Sequence, residues 1–326
     1  MDRRAFISTV TLGLLAVPLA ADAQQSGKVF RIGFLGVASA SGYASEVEAV
    51  RAGLRDFGYV EGKNIVIEYR WAEGKHDRLP EVAAELVRLK VDVIVTHATT
   101  GTRAAKQATT TIPIVIADAA DPVAAGLVAS LARPGGNITG STSFQWELNV
   151  KRLELLKEVM PRIAQVAVLL NAHNPTHVTT VKNMEIAAKS MRVGLHQFAA
   201  RGPDEFGGAF TAMAKRRVDA VVVMEDPILN ADTGTIANLA AKQRLPSIGF
   251  RKFAEAGGLM AYGVNRLELY RRVAYFVDRI LKGAKPADLP VEQAARFDLV
   301  INLKTAKALG LTIPQSVLIR ADELIQ

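Results

Sequence analysis

The sequence predicts an α/β fold of two doubly wound parallel-sheet lobes that are joined by a hinge of several crossings. Residues 91–95 (VDVIV) are nearly all apolar or β-branched, as in a strand covered on both faces, and a polar loop follows them. The same arrangement returns at residues 218–227 (VDAVVVMEDP). Because α/β folds bind ligands where parallel strands end in polar loops, two such segments predict two matching lobes.

The first lobe is predicted from strands and helices that alternate along the chain. After a strand at 30–35, apolar residues recur at Val47, Val50, Leu54 and Phe57, which is the spacing of one helix face. The same alternation gives further strands at 65–69, 91–95 and 112–117, and helices at 77–89, from 101 onwards and at 122–131. Strand, helix and strand at this spacing indicate right-handed crossovers and therefore a parallel sheet.

The second lobe repeats this order after a short link at 137–143. The expected strands are 166–170, 193–199 and 218–224, and the expected helices are 146–160, 176–191 and 204–216. The remaining chain does not restart the pattern, so we expect it to cross between the lobes again. The predicted first lobe comprises 29–142 and 263–286, and the predicted second lobe comprises 143–262 and 287–326.

The first 23 residues form a separate segment. Two arginines precede an apolar run at 7–20 and an Ala-x-Ala pattern at 21–23, which is the layout of a secretory signal peptide. The apolar run is too short for a membrane span. Arg3 and Arg4 also suit twin-arginine export, so both export routes remain open. Removing 23 of the 326 residues leaves 303, and we expect these to be soluble in the periplasm.

The composition is that of an ordinary globular protein, with 49% hydrophobic and 22% charged residues. The chain has no cysteine, which excludes disulfides, thiolate metal sites and a lipid-attachment cysteine. A formal net charge of +8 can indicate nucleic-acid binding, but lysine and arginine are scattered among acidic residues without a basic block. We therefore predict no nucleic-acid partner.

Five segments resemble those of one protein family, over a stretch from about Arg31 to the C-terminus. They are FGYVEGKNI at 57–65, RWAEG at 70–74, ARPGGNITG at 132–140, LKGAKP at 281–286 and VINLKTA at 300–306. In these segments the chain resembles the ABC-transporter substrate-binding proteins of the tryptophan/tyrosine-binding type. The resemblance implies a type I periplasmic binding-protein fold, a small-molecule ligand, delivery to an inner-membrane ABC permease, and no catalysis.

Signatures of an enzyme or a cofactor site are weak. The sequence has no G-x-S-x-G elbow and no G-x-x-x-x-G-K phosphate loop, and Gly33-x-x-Gly36 lacks the dinucleotide-binding spacing. His173 and His177 are four residues apart, as in a helical metal site, but an Asn-Pro pair between them favours a turn. We predict no catalytic residue, no metal and no cofactor.

Polar residues that follow the predicted strands form the candidate ligand site. If the two lobes face each other, these residues meet in one cleft and offer both charge signs to a small polar ligand. The candidates from the first lobe are Ser39, Ser41, Tyr43, His97, Thr99, Thr100, Asp118 and Asp121. Those from the connecting segment and the second lobe are Phe144, Trp146, Asn171, Asn174, Glu225, Asp226, Arg251 and Tyr262.

Three candidates have an alternative role in the fold. For His97 the alternative is a loop histidine without a ligand, and for Trp146 it is a place in a core or at a helix start. Asp121 precedes a proline, so its alternative is to cap a helix through its side chain. As a ligand contact, Asp121 would instead accept a charge-assisted bond from an ammonium group, contributing on the order of 1.5–3 kcal/mol.

Two functions fit these observations. The first is a monomeric solute receptor of an ABC importer that closes like a clamp on an amino acid. The resemblance implies that this amino acid can be aromatic. The second is an exported enzyme or sensor that uses the same cleft. An enzyme needs a nucleophile, base or metal that the sequence does not display, and we therefore favour the receptor.

Overall fold

Two separate sheets organise the chain, one in each of two lobes. The computed structural model describes residues 28–294 and 296–326. The predicted signal peptide and its arginine pair lie outside the described residues. Of the helices in the described part of the chain, none combines the length and the apolar character that a membrane span needs.

Strands and helices alternate along most of the described chain. The strands are β1 (Phe30–Gly36), β2 (Ile65–Trp71), β3 (Val93–Thr96), β4 (Ile114–Ala119), β5 (Ile138–Thr142), β6 (Gln165–Asn171), β7 (Gly194–Ala200), β8 (Ala220–Val223), β9 (Ser247–Gly249), β10 (Met260–Val264), β11 (Glu292–Gln293), β12 (Phe297–Asn302) and β13 (Glu323–Ile325). The α-helices are α1 (Ala44–Asp56), α2 (Leu79–Arg88), α3 (Ala98–Ala108), α4 (Gln145–Val159), α5 (Thr176–Ser190), α6 (Pro203–Arg216), α7 (Pro227–Ala231), α8 (Thr233–Lys242), α9 (Arg251–Glu255), α10 (Arg266–Leu281), α11 (Leu303–Leu309) and α12 (Gln315–Leu318). Three 3₁₀ turns occupy Ser41–Tyr43, His76–Arg78 and Pro286–Asp288.

The two sheets share the same strand order. The first runs β11-β5-β4-β3-β1-β2 and is parallel throughout. The second runs β13-β12-β10-β9-β8-β6-β7 and contains a single antiparallel pair, β10 with β12. In each lobe the first five strands follow the doubly wound order 2-1-3-4-5, which confirms the predicted fold class.

Helices cover both faces of each sheet, which explains why the central strands are mostly apolar. β3 (VIVT) and β8 (AVVV) are buried along their whole length. In the first lobe, α1 and α10 pack on one face and α2 and α3 on the other. In the second lobe, α4 and α5 pack on one face, and α6 and α8 on the other.

The chain crosses between the lobes three times within the described residues. The crossings lie between β5 and α4, between β10 and α10, and between β11 and β12. The observed crossings differ from the predicted lobe boundaries at two points. β10 extends the second sheet to Val264, and β11 belongs to the first sheet, so the chain returns to the second lobe after Gln293 rather than at 287.

One predicted helix is wrong. Residues 122–126 form turns and bends follow them towards 131, with no helix, although Asp121 and Pro122 resemble a helix start. The Asp121 carboxylate still behaves like a cap, because its Oδ1 accepts the backbone N–H groups of Val123 and Ala124 at 3.1 and 2.9 Å. Bends follow the turns up to the ARPGG segment, so a local capping signal did not lead to a helix.

Candidate functional site

The strand ends of both lobes meet around a small cavity. Its volume is about 20 Å³, which is room for about one water molecule. The first lobe lines it with Tyr43, His97, Ala98, Thr99, Asp118, Ala119, Ala120, Arg266 and Tyr270, and the second lobe with Asn174, Thr176, Glu225, Asp226, Pro227 and Asn230. We call this the inner cavity. Most of these residues follow β3, β4, β6 and β8 directly, so the parallel topology brings them together.

Arg266 is the central charged group of the inner cavity. It is the first residue of α10, directly after the chain crosses from the second lobe. Its guanidinium lies 3.7 Å from Glu46, 3.6 Å from Asp118 and 3.4 Å from Glu225. Glu46 and Asp118 belong to the first lobe and Glu225 to the second, so one cation contacts carboxylates of both lobes.

Aromatic rings surround the same guanidinium. Its carbon lies 5.7 Å from the ring centre of Tyr43 and 5.4 Å from that of Tyr270, within the range of cation–π attraction. Both phenols are buried, and burial raises the pKa of each. Tyr43 also stacks on the ring of His97 with ring centres 4.4 Å apart. This packing holds the cation and the rings in one arrangement.

The turn from β3 into α3 presents hydrogen-bond donors to the inner cavity. The backbone N–H of Val37 donates to Nε2 of His97 at 3.1 Å, so the imidazole proton must reside on Nδ1. Burial, with a smaller contribution from Arg266, lowers the pKa of His97 to about 3, which keeps the ring neutral. The buried hydroxyl of Thr99, in the first turn of α3, has no hydrogen-bond partner among the described residues.

The second lobe supplies two buried carboxylates held by different partners. Glu225 pairs with the fully buried Arg152 at 3.2 Å. Asp226 accepts N–H groups from the side chains of Asn171 and Asn174 at 3.0 and 2.9 Å, and from the backbone of Ile228 at 2.9 Å. The last bond caps α7. Both carboxylates are therefore fixed in place before any ligand arrives.

The charges around the inner cavity are not balanced. Among the described residues, the charged groups that line it or pair with its lining are the carboxylates Glu46, Asp118, Glu225 and Asp226 and the guanidiniums of Arg152 and Arg266. There are thus two more carboxylates than guanidiniums. The three donors of Asp226 satisfy its hydrogen bonding but carry no charge, so the cavity favours a positively charged group.

A larger chamber adjoins the inner cavity and shares Ala120 and Thr176 with it. Its volume is about 180 Å³. Its walls come from both lobes and consist of Arg103, Ala120, Asp121, Ala124, Ala125, Trp146, Pro175, Thr176, Thr179 and Thr180. We call it the outer chamber. Its surface is largely apolar around Trp146, whereas the inner cavity is polar and charged.

The structure brings nine of the sixteen sequence candidates to these two spaces. Tyr43, His97, Thr99, Asp118, Asn174, Glu225 and Asp226 line the inner cavity, and Asp121 and Trp146 line the outer chamber. Asn171 lies behind the inner cavity, where it bonds Asp226. Thr100 has a buried hydroxyl without a partner in the described structure, but it lines neither space.

The remaining five candidates lie elsewhere. Ser39 and Ser41 contact each other at the start of the Ser41–Tyr43 turn. Phe144 is the left-handed residue before α4, with φ 45°. Tyr262 stacks on Phe297. Arg251 follows β9 but turns towards the C-terminal strands, where it pairs with Asp298 at 3.2 Å and with Glu323.

Four polar residues that line the inner cavity were not among the sequence candidates: Arg266, Tyr270, Asn230 and Thr176. Tyr270 belongs to the apolar face of α10 and also joins the core of the first lobe. The signal for Arg266 was its place at the start of a helix that directly follows a lobe crossing.

The histidine pair considered for metal binding is separated by its surroundings. His177 is buried and accepts the backbone N–H of Asn171 at 3.2 Å, whereas His173 is exposed. The described residues contain no group of three or more His, Cys, Asp or Glu side chains arranged to hold a metal ion.

A two-lobed α/β protein with three crossings and a charged interlobe cavity has the architecture of a binding protein that closes on a small ligand. The family model for ABC transporter substrate-binding proteins matches residues 31–325. The chain therefore belongs to the ABC transporter substrate-binding protein family, and its fold is that of the type I periplasmic binding proteins.

Three relatives illustrate the similarity. A tyrosine-binding protein from Clostridioides difficile (strain R20291) is 27% identical over 260 residues, which is 79% of this chain and 74% of the relative. The structure of an ABC domain from Streptococcus pneumonia in complex with L-Trp has a TM-score of 0.82 at 28% identity, covering 90% of this chain and all of the other. A ligand-free, open substrate-binding protein from Clostridium difficile has a TM-score of 0.64 at 25% identity, covering 91% of this chain and all of the other.

Proposed function

We propose that this protein is the periplasmic solute receptor of an ABC importer, and that it closes on an α-amino acid and delivers it to the permease. The observation that carries the proposal is the inner cavity, in which neutral donors of the first lobe and an excess of carboxylates surround one small space. A zwitterionic head group needs both. The outer chamber next to this space has the size and the apolar walls to take a side chain.

The donors at the β3–α3 turn suit the carboxylate of the ligand. His97 is fixed as a neutral Nδ1–H tautomer, and the Thr99 hydroxyl is buried without a partner in the described structure. The first-turn N–H groups of α3 add the positive end of a helix dipole at the same place. An anionic oxygen bound there would satisfy a group that otherwise costs about 1–3 kcal/mol to bury.

The carboxylates suit the ammonium group of the ligand. Asp118 projects from the first lobe, and Glu225 and Asp226 project from the second. Each is already positioned by arginine or amide partners, so little order has to be created on binding. An ammonium group is about the size of one water molecule and therefore fits the inner cavity.

The rest of the ligand extends into the outer chamber. In the described arrangement the inner cavity is too small for a whole amino acid, so a ligand whose head group binds there must continue past Ala120 and Thr176. The ring of Trp146, 38% exposed, then forms an apolar wall for the side chain. A planar side chain matches this wall best.

The relatives support the same ligand class. One is described as a tyrosine-binding protein, and another was crystallised with L-Trp. The lobe arrangement described here is also more similar to the L-Trp complex than to the open, ligand-free relative, with TM-scores of 0.82 and 0.64. This difference supports a closed arrangement of the present lobes.

Native mass spectrometry of protein purified from the periplasm of its own cells tests the proposal. We expect a bound species with the mass of an amino acid, released when the protein is denatured. Retention of the full-length chain in the cytoplasm would contradict the proposed location, and a bound sugar or nucleotide would contradict the proposed ligand class.

A further inference from the structure

A pair of histidines meets across the two lobes. His76 lies in the 3₁₀ turn after β2 of the first lobe, and His173 lies in the loop after β6 of the second. Their ring centres are 5.9 Å apart, with the rings nearly perpendicular at 76°. Each histidine belongs to a different lobe, so the contact spans the lobe interface and depends on how the lobes are arranged.

His76 is half-buried in the described arrangement of the lobes. Both of its ring nitrogens are buried and have no hydrogen-bond partner among the described residues. The neighbouring Gly74 faces the side chain of Ile228 in the second lobe, so this part of the first lobe lies against the second lobe. When the lobes separate, water can reach the ring and solvate a protonated imidazolium.

We propose that His76 and His173 form a pH-sensitive latch: the closed lobes accept His76 only in its neutral form, so that acid favours opening and ligand release. Protonation in the closed state would place a buried imidazolium against the second histidine. The inference goes beyond the proposed ligand class, because it concerns the closure equilibrium and not the groups that bind the ligand.

The charged groups around His76 determine the sign of the effect. Burial lowers the pKa of His76, and His173 lowers it further, whereas Asp226 and Asp77 act in the opposite direction. The net direction is downward, so burial outweighs the two carboxylates. A base whose pKa is depressed in the closed state is neutral in both states at neutral pH and does not affect closure there, but it opposes closure once the pH falls below the ordinary pKa of the open state, because only the open state then binds the proton.

The size of the effect has an upper limit. With an ordinary pKa of about 6.5 in the open state, His76 is about nine-tenths protonated at about pH 5.5. Excluding that proton from the closed state weakens closure by up to about tenfold. L-Tyrosine is a suitable probe, because neither its ammonium nor its carboxylate changes protonation between about pH 5.5 and 7.5.

The test compares L-tyrosine affinity at about pH 7.5 and about pH 5.5 in the wild type, in His76→Gln and in the control His196→Gln. His196 lies on β7, the edge strand of the second sheet, away from the lobe interface, and it is half-exposed. We expect the dissociation constant of the wild type and of His196→Gln to rise by up to about tenfold in acid, and that of His76→Gln to stay constant. A pH-independent wild type, or an unchanged pH dependence in His76→Gln, would overturn the latch.

Absence of L-tyrosine binding at both pH values would count against the proposed ligand class rather than the latch. In that case the latch is tested without any ligand. The distance is measured between two labels attached to cysteines, introduced as Glu81→Cys in the first lobe and Asp204→Cys in the second. The chain has no cysteine of its own, so both labels are specific. Acid must lengthen this distance in the wild-type background and not in His76→Gln. Equal distances at both pH values would overturn the latch.

Discussion

The guanidinium of Arg266 and the carboxylate of Glu225 lie 3.4 Å apart and join the two lobes at the inner cavity. Arg266 begins the helix that follows the second crossing, and Glu225 follows β8 of the opposite lobe. The same arginine contacts Glu46 and Asp118 of its own lobe. Three buried carboxylates therefore share this one cation, and Glu225 has Arg152 as a second partner.

Replacing that cation is expected to destabilise the protein. Arg266→Met leaves the three carboxylates without their shared partner, and breaking a buried ion pair in this way costs about 3–5 kcal/mol. Arg271→Met is a matched control on the same helix, because Arg271 pairs with Asp56 at the exposed surface and contributes at most about 1 kcal/mol. Urea unfolding measures both variants, and equal losses would show that Arg266 does not organise the site.

Gly42 is expected to be required for closure. A Cβ at this position would lie 2.5 Å from Cβ of Ala231 and 2.9 Å from its Cα, across the lobe interface. The Lys252 ammonium of the second lobe also donates to the Gly42 carbonyl oxygen at 2.7 Å. We expect Gly42→Val to fold normally but to bind amino acids at least about tenfold more weakly, a loss of roughly 1.4 kcal/mol.

Gly207→Ala provides the control for this substitution, because a Cβ at Gly207 would meet nothing within 4 Å. Scattering curves recorded with and without saturating L-tyrosine report the closure directly. If Gly42→Val with L-tyrosine compacts to the radius of gyration of the wild type, the close contact of Gly42 with Ala231 is not required for closure.

The hydroxyl of Thr99 is expected to contribute to affinity and not to stability. Thr99→Val preserves the side-chain shape and removes a buried hydroxyl that has no partner among the described residues. Thr102→Val is the matched control, because the Thr102 hydroxyl donates to the Ala98 carbonyl at 2.8 Å within the same helix. We expect only Thr99→Val to lose about tenfold or more in amino-acid affinity by calorimetry, as one charge-assisted bond predicts. Unchanged affinity would remove Thr99 from the site.

Asp121 is expected to act mainly through its two backbone bonds. Asparagine retains an oxygen that can accept from Val123 and Ala124, whereas alanine does not. Asp121→Ala should therefore lose about 0.5–2 kcal/mol of stability while Asp121→Asn should lose almost none. Because Asp121 lines the outer chamber, we expect Asp121→Asn to keep most of its affinity. A tenfold loss in Asp121→Asn would instead support the direct ammonium contact expected from the sequence.

The fold was largely predictable because its signals are local. Strands such as β3 and β8 are buried along their whole length and almost entirely apolar, and the following helices have clear faces. The helix expected at 122–131 shows the limit of such signals, since a proline preceded by a capping aspartate formed only turns. The short β11 carries no pattern of its own, so its lobe could not be assigned in advance.

The candidate site was predictable mainly where a residue lies at or just after the end of a parallel strand. Thr99, Asp118, Asn174, Glu225 and Asp226 are placed in this way and line the inner cavity. Arg251 also follows a strand but turns away, because strands that join the sheet later in the chain place Asp298 and Glu323 beside it. Arg266 reaches the cavity through a lobe crossing, and such long-range placement leaves no periodic trace in the sequence.

The central claim is that the residues lining the inner cavity, its carboxylates and the donors of the β3–α3 turn, bind the two charged groups of an amino-acid head. Calorimetric titration with L-tyrosine, tyramine and N-acetyl-L-tyrosine tests it most directly, because the two analogues lack the carboxylate and the ammonium respectively. We predict that L-tyrosine binds and that each analogue binds at least about tenfold more weakly, since each loses a charge-assisted interaction worth about 1.5–3 kcal/mol. An analogue that binds as tightly as the amino acid would contradict the account.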